Sequence, residues 1–325
     1  MIAGLLTRLL QGVGVMLVVG LLAFAVSTKL GDPVNNMLGP NATIEEREAM
    51  THELGLDQPF LLQYWRYLGR VLHGRLGVSY RLGIPVEELL AERLPASVEL
   101  SGVAMLLTLL LGVPLGIYTA LHRRSVLSKL VLGASLTGLS LPTFLVGLLL
   151  IFFFSVQLRW LPSSGRGQVV AIGPWTTGLL TLSGLRSLLL PSITLALFSL
   201  ALLLRLVRGE LLDVLHSDHI RFARARGLPD RAIHFRHALK NALLPVITVA
   251  ALQLGNLLAF AVVTETVFQW PGMGLLFLQA VQFADVPVIS TYLLLAAVTF
   301  VLINLAVDVS YRVLDPRVRS SRAGS

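Results

Sequence analysis

Long apolar runs separated by short polar stretches set the pattern of this chain. Runs lie near Leu9–Ala25, Val98–Leu121, Leu130–Val156, Leu188–Leu206, Leu243–Val263 and Val288–Val309. Each can cross a hydrocarbon core of ~30 Å as a helix. The pattern predicts an all-α polytopic membrane protein with about six transmembrane helices, forming a single transmembrane domain over 1–325. Gly31, Asp32 and Pro33 end the first span, and Pro142 interrupts the third. In the second, Gly112 and Gly116 flank Pro114 and form a small-xxx-small pair suited to close helix packing.

The polar stretches are not uniform. Residues 31–96 form a long segment in which three short helices are predicted. Thr43 to Glu46 is a capping-box pattern. Phe60, Tyr64, Tyr67, Leu68 and Val71 recur at amphipathic helical spacing between Pro59 and Leu72. Pro85 to Leu94 reads as the third. Trp65 and Tyr80 suit a membrane interface. Such a segment is either a set of surface helices packed on the membrane face or a docking surface for an external partner. Residues 163–187 are rich in Gly, Ser and Thr with a half-apolar middle, Gly173 to Leu182, and read as an external loop. Residues 264–288 hold Glu265 and Asp285 but no Lys or Arg, and read as another.

The stretch from Glu210 to Pro245 has a different character. It carries Arg221, Arg224, Arg226, Arg231, Arg236 and Lys240, with His216, His219, His234 and His237. A Lys or Arg at the centre of a membrane helix costs roughly 2.5–3.5 kcal/mol, so this segment lies outside the hydrocarbon. Asp218 is placed to cap a short helix running to Arg226. Gly227 then serves as the left-handed terminator and Pro229 blocks continuation. A linker needs no such punctuation, whereas a docking element needs a fixed shape. The paired histidines fall at i,i+3, which is also the spacing of polar residues on an exposed helix face.

Composition agrees with a membrane class: 55% hydrophobic and 14% charged residues in 325. The formal net charge of +8 is explained by positive-inside loops and calls for no nucleic-acid partner. With both termini inside, the basic clusters His122 to Lys129, Arg205 to Lys240 and Arg312 to Arg322 share one side with Arg8, and residues 31–96 lie outside. The N-terminal run carries no clear cleavage site and is expected to be retained as a span. No cysteine is present, which excludes disulfides and thiol chemistry. No phosphate-binding loop, zinc motif or nucleophile elbow occurs, so no catalytic, cofactor or metal residues are assigned. Within the spans, Gln253 and Asn256 fall at i,i+3 on the fifth helix, and Asn304 and Asp308 share a face of the sixth. Such polar groups either join helices or line a path. Asp308 can also pair with Arg312. The absence of evident mid-membrane carboxylate clusters speaks against self-powered transport.

The basic segment resembles the permease subunits of ATP-binding cassette importers. The general signature of that family is E-A-A-x-x-x-G. Here Gly227 takes the glycine and Ala223 the second alanine, while Arg221 and Phe222 replace the glutamate and first alanine. Ile220 to Leu228, followed by Arg236 to Pro245, is similar to the dipeptide/oligopeptide/nickel group. So are Leu54 to Pro59, Arg93 to Leu100, Trp160 to Arg166, Glu265 to Gly274, Asp285 to Ile289 and Leu314 to Arg317. The resemblance implies a multi-pass permease of the bacterial or archaeal inner membrane. It would form a heterodimer with a second homologous permease, driven by two cytoplasmic ATPase subunits that bind ATP and Mg. An extracytoplasmic binding protein would deliver di- or oligopeptides. It further implies that Asp218, Arg221, Phe222, Ala223, Arg224, Ala225, Arg226 and Gly227 form a coupling helix within a cytoplasmic loop at 210–242. By their mid-span positions, Gln253, Asn256 and Asn304 are the candidates to line such a path or to join helices. The same architecture could import nickel chelates, glutathione or oligosaccharides. A channel or secondary transporter would work without ATPase subunits, and a membrane enzyme would need a catalytic cluster this sequence lacks.

Overall fold

The computed structural model describes residues 2–30, 34, 38, 43–53 and 55–314. The chain divides into two compact units. The first comprises 1–96, 171–176 and 271–302, and the second 97–170, 177–270 and 303–325.

In the first unit, α1 (Ile2–Leu30) is the N-terminal helix. α2 (Ile44–Glu53) begins with the expected capping box: the Thr43 amide donates to Glu46 Oε2 at 2.9 Å, and the Glu46 amide donates to Thr43 Oγ1 at 3.3 Å. The bond from the Thr43 amide, and after it the Thr43 side chain beside the carboxylate, hold the Glu46 carboxyl below its usual range. α3 (Phe60–Leu72) packs on α1. α4 (Val86–Leu121) enters this unit through its first turns. The helix expected over Pro85 to Leu94 is therefore not separate. It continues through Pro95 and Pro114 into the second span. Proline is tolerated in such helices when the carbonyls it leaves open find other partners. α12 (Met273–Gln282) and the part of α13 (Val286–Leu314) up to residue 302 complete the unit. α12 lies where the sequence suggested an external loop. Its apolar face supplies Leu276 and Ala280 to a core with Val86, Leu89 and Val288. A loop reading missed this because burial, not charge, decides the conformation here.

In the second unit α5 (Val126–Ser140) turns sharply into α6 (Thr143–Leu150), whose end continues as a π-helical turn, Ile151–Gln157. The two arms meet at 108°, so the expected third span is a cornered pair. Pro142 explains the corner. The residue before a proline is driven out of the helical region, and Leu141 sits at φ −86°, ψ 133°. A hairpin, β1 (Val170–Ile172) and β2 (Trp175–Thr177), of which 171–176 belong to the first unit, departs from an all-α fold.

α7 (Leu182–Leu215) starts earlier than hydropathy suggested and ends later. Thr181 caps it by accepting from the Gly184 amide at 3.0 Å. Its C-terminal turns carry Leu211 and Leu215 into a buried cluster, which holds the helix together past Arg205 and Arg208. The close glycine packing of α4 is present. A Cβ on Gly116 would stand 2.7 Å from Val207 Cβ and 2.8 Å from the Leu204 carbonyl oxygen of α7. α8 (Asp218–Ala225), α9 (Asp230–Ala232) and a π-helical turn, Ile233–Ala238, connect to α10 (Leu239–Phe260). The axis bends by 46° around Pro245, which has no amide to donate to Asn241. α11 (Val262–Val267) follows.

Among the described residues three helices are long and apolar enough to cross a membrane: α4, α7 and Val286–Val307 of α13. The number rises to five when each of the two bent pairs counts as one span, and Leu10–Ala25 of α1 is a shorter apolar stretch.

Candidate functional site

The basic segment folds as one small body. Ile220 and Ala223 of α8 turn inward. Ile220 is fully buried against Leu211, Leu215, Ile233, Ala238 and Ala242, with Ala120 of α4 in the same cluster. Burying an isoleucine in this way contributes about 1.5–3 kcal/mol. It fixes α8 to the ends of α4, α7 and α10.

The opposite face is open. Asp218, Arg221, Phe222, Arg224, Ala225, Arg226 and Gly227 are exposed. Phe222 is 66% exposed, and the Arg226 guanidinium lies 5.8 Å from its ring centre. Arg221 Nη1 approaches Asp218 Oδ1 at 3.3 Å at the surface, worth at most a few tenths of a kcal/mol. Phe235 is exposed nearby and shares a shallow depression with Pro229, Arg231 and Arg236. An aromatic ring held among guanidinium groups is suited to an acidic groove with an apolar floor.

The caps differ from expectation at one end. Ser217, extended at ψ 153°, precedes the helix, and Asp218 is its first residue. The Ser217 hydroxyl donates backwards to the Val214 carbonyl at 2.6 Å and caps nothing. Asp218 acts through charge at the positive helix end instead. The other end is as expected. Gly227 has φ +76°. Its amide donates to the Arg224 carbonyl at 2.9 Å, and the Leu228 amide donates to that of Ala223 at 3.3 Å. This is a Schellman closure. His219 and His237 meet edge to face, ring centres 6.5 Å apart, which ties α8 to the turn before α10.

The polar residues of the spans are less alike than their spacing suggested. Gln253 is buried, whereas Asn256, one turn on, is exposed. Asn304 of α13 is also exposed. The side chains of Asp308 and Arg312 lie outside the described residues.

Buried polar groups are more numerous than hydropathy implied, and they include three carboxylates. Glu99 of α4 accepts from Arg166, Thr177 and the Gly178 and Leu179 amides. Glu265 of α11 is fully buried and accepts from Ser97 Oγ at 2.5 Å. Asp285, just before α13, accepts from Ser79 Oγ and from the Tyr80 and Arg81 amides. Their signal in the sequence was a lone acidic residue amid small and apolar neighbours.

Fold and site together define a helical, polytopic membrane protein with a short basic helix seated on the ends of α4, α7 and α10. One family model, the inner membrane component of binding-protein-dependent transport systems, matches residues 112–320, and the model of the N-terminal part of such components matches 1–101. The chain belongs to this family of inner-membrane components. It is a permease subunit of an ATP-driven importer and not an enzyme, since the ATPase of such a system is a separate chain. A partner ATPase and a substrate-binding protein follow in general from the family. The chain is 39% identical over 308 residues to the dipeptide transport system permease protein DppB of Escherichia coli K12, covering 90% of this chain and 91% of that protein. It is 41% identical over 318 residues to the di/tripeptide transport system permease protein DppB of Pseudomonas aeruginosa, with 94% and 95% covered. With the probable peptide ABC transporter permease protein y4tP of Sinorhizobium fredii it shares 37% over 317 residues, with 97% and 98% covered. In fold it is similar to a chain of the MetNI methionine ABC transporter in inward-facing conformations. The TM-score is 0.55 at 19% identity, covering 70% of this chain and 96% of that one.

Proposed function

We propose that this chain is one half of a heterodimeric peptide permease and that α8 is its coupling helix. The peptide assignment is supported by the names of the relatives, which cover nearly the whole chain. The coupling assignment rests above all on the seating of α8. Ile220 joins it to a cluster drawn from α4, α7 and the start of α10, so a force on the exposed Phe222 face reaches several spans together. A ligand or partner shifts a conformational equilibrium only through differential contact with the two states. A rigid, capped helix makes such contact possible, and a flexible loop does not.

In this reading both termini and the 210–242 segment are cytoplasmic, two ATPase subunits bind ATP and Mg, and an external binding protein delivers peptides to the outer side. Asn256 and Asn304 line the path. Their exposure in this chain supports that, because a carboxamide facing lipid is costly. Gln253, buried one turn before Asn256, is the third candidate, either lining the path or joining helices.

The experiment is reconstitution of the full importer in vesicles. Dipeptide-loaded binding protein should stimulate ATP hydrolysis and peptide uptake, and Phe222→Ala should abolish the stimulation while the complex still assembles. Stimulation by a nickel chelate or an oligosaccharide, but by no peptide, removes the substrate assignment. Full stimulation in Phe222→Ala removes the role of α8.

A further inference from the structure

α3 has three distinct faces. Phe60, Tyr64, Tyr67 and Val71 recur on one side and turn toward α1, where the rings of Phe60, Tyr64 and Tyr67 lie 5.2, 5.8 and 5.5 Å from that of Phe24. Leu61, Trp65, Leu68 and Leu72 form a second stripe. Of these Leu61 is 66%, Trp65 62% and Leu72 84% exposed. Arg66 and Arg70 stand one turn apart on the third face. A helix buried in a protein core needs no second apolar stripe, and one lying in water does not keep one exposed.

The depth of α3 follows from what it touches. Tyr64 donates its hydroxyl to the Leu17 carbonyl at 2.6 Å. A Cβ on Gly20 would meet Leu68 Cδ2 at 3.6 Å. Leu17, Gly20 and Phe24 lie on one face of α1, inside its apolar stretch Leu10–Ala25. α3 is therefore docked beside the apolar stretch of α1, which the topology proposed above places in the membrane.

Beside it lies a pocket of about 690 Å³ whose lining includes Arg66, Arg70, His73 and Arg75 and no carboxylate. None of the three arginines has a carboxylate within ion-pair distance among the described residues. Gln63 cannot serve there as a free donor, because its amide nitrogen already bonds the Leu56 and Gln58 carbonyls at 2.9 and 2.7 Å.

We propose that α3 is an in-plane helix of the outer leaflet. The exposed stripe of Leu61, Trp65 and Leu72 enters the acyl chains, Leu68 at its edge packs toward Gly20 of α1, and Arg66, Arg70 and Arg75 hold the phosphate of an anionic phospholipid. Apolar and basic faces side by side on one helix match the acyl and headgroup layers of a bilayer. The segment 31–96 is then not wholly an aqueous domain. Its middle helix fixes α1 laterally in the membrane.

The absence of cysteine makes the test direct. Nitroxide labels are attached at Leu61→Cys, Leu72→Cys and Glu48→Cys in the complete importer, reconstituted in phosphatidylcholine with or without phosphatidylglycerol. Labels at 61 and 72 should relax with dissolved oxygen and be shielded from a water-soluble nickel chelate, and the label at 48 should do the reverse. Exposure of 61 and 72 to the chelate places the stripe in water and overturns the proposal. Shielding of both labels from both relaxants places it against another protein chain and also overturns it. For the headgroup, native mass spectrometry of the complex should show preferential retention of phosphatidylglycerol. Arg66→Gln with Arg70→Gln should reduce that preference by roughly fivefold per arginine and leave the label pattern at Leu61 unchanged. Undiminished preference in the double variant removes the headgroup site. Displacement of the lipid by soluble glycerol phosphate removes the lipid as its occupant.

Discussion

Arg166 Nη2 lies 2.6 Å and its Nε 3.0 Å from one oxygen of Glu99, and the two side chains are only 7% and 3% exposed. The other carboxylate oxygen accepts the Thr177 hydroxyl at 2.8 Å and the Gly178 and Leu179 amides at 2.9 and 3.0 Å. One side chain of α4 thus organises both ends of the excursion between the third and fourth apolar runs. Removing one partner leaves the other charge buried, which costs about 3–5 kcal/mol. Arg166→Met and Glu99→Leu should each lower the thermal midpoint of the purified complex markedly. The double variant should lie well above the sum of the two losses. Additive losses would show that the pair does not act as a unit.

Gly116 and Gly112 face the same helix at different clearances. A Cβ at 116 collides with Val207 and with the Leu204 carbonyl, whereas at 112 the nearest atoms of α7 are 3.5–3.6 Å away. Gly116→Ala should destabilise by about 1–3 kcal/mol, because a backbone oxygen cannot move aside as a side chain can. Gly112→Ala should be close to neutral. Thermal unfolding of the two variants side by side measures the contrast.

Gly227 is open on every side but left-handed: φ is +76°, and a Cβ added there would meet nothing within 4 Å. Its constraint is conformational rather than steric. Gly227→Val should cost about 1–2 kcal/mol locally and re-aim the end of α8. Gly227→Asn, which tolerates this region, should cost less. Peptide-stimulated ATP hydrolysis of the reconstituted importer should fall for valine and be largely kept for asparagine.

Asn256→Leu should impair uptake at normal membrane insertion, because the residue is exposed in this chain. Gln253→Leu should first shift the thermal midpoint, because the residue is buried. Equal effects on uptake and none on stability would place both in the path. Transport and unfolding assays on the same preparations separate the outcomes.

For topology, Glu48→Cys and Arg221→Cys should label from opposite faces of the membrane. Ser79 is an unsuitable site for the outer probe despite its position in the polar segment. It is buried and donates to Asp285.

Much of this protein was legible in one dimension. Apolar runs long enough to span a bilayer, separated by charge that hydrocarbon excludes, fix the class. Thr43 with Glu46 and Gly227 with Pro229 are local devices whose partners lie within a few residues, so spacing alone disclosed them. Gly112 and Gly116 announced a close approach through their size, though not the helix approached.

Tertiary structure decided what depends on distant partners. Ser97 with Glu265 and Ser79 with Asp285 join residues far apart in sequence, and nothing in the acidic residues' own neighbourhoods named their partners. α12 formed where low charge suggested a loop, because Leu276 and Ala280 found Val86 and Val288. The two faces of Gln253 and Asn256 separated because burial depends on which helices pack where, and a spacing of three residues is silent on that. The role of α3 was equally hidden. Its amphipathic spacing was plain from the sequence, but only the bond from Tyr64 to Leu17 showed which helix it lies against. Short-range physics is written in adjacent residues, while burial and depth belong to the packed chain.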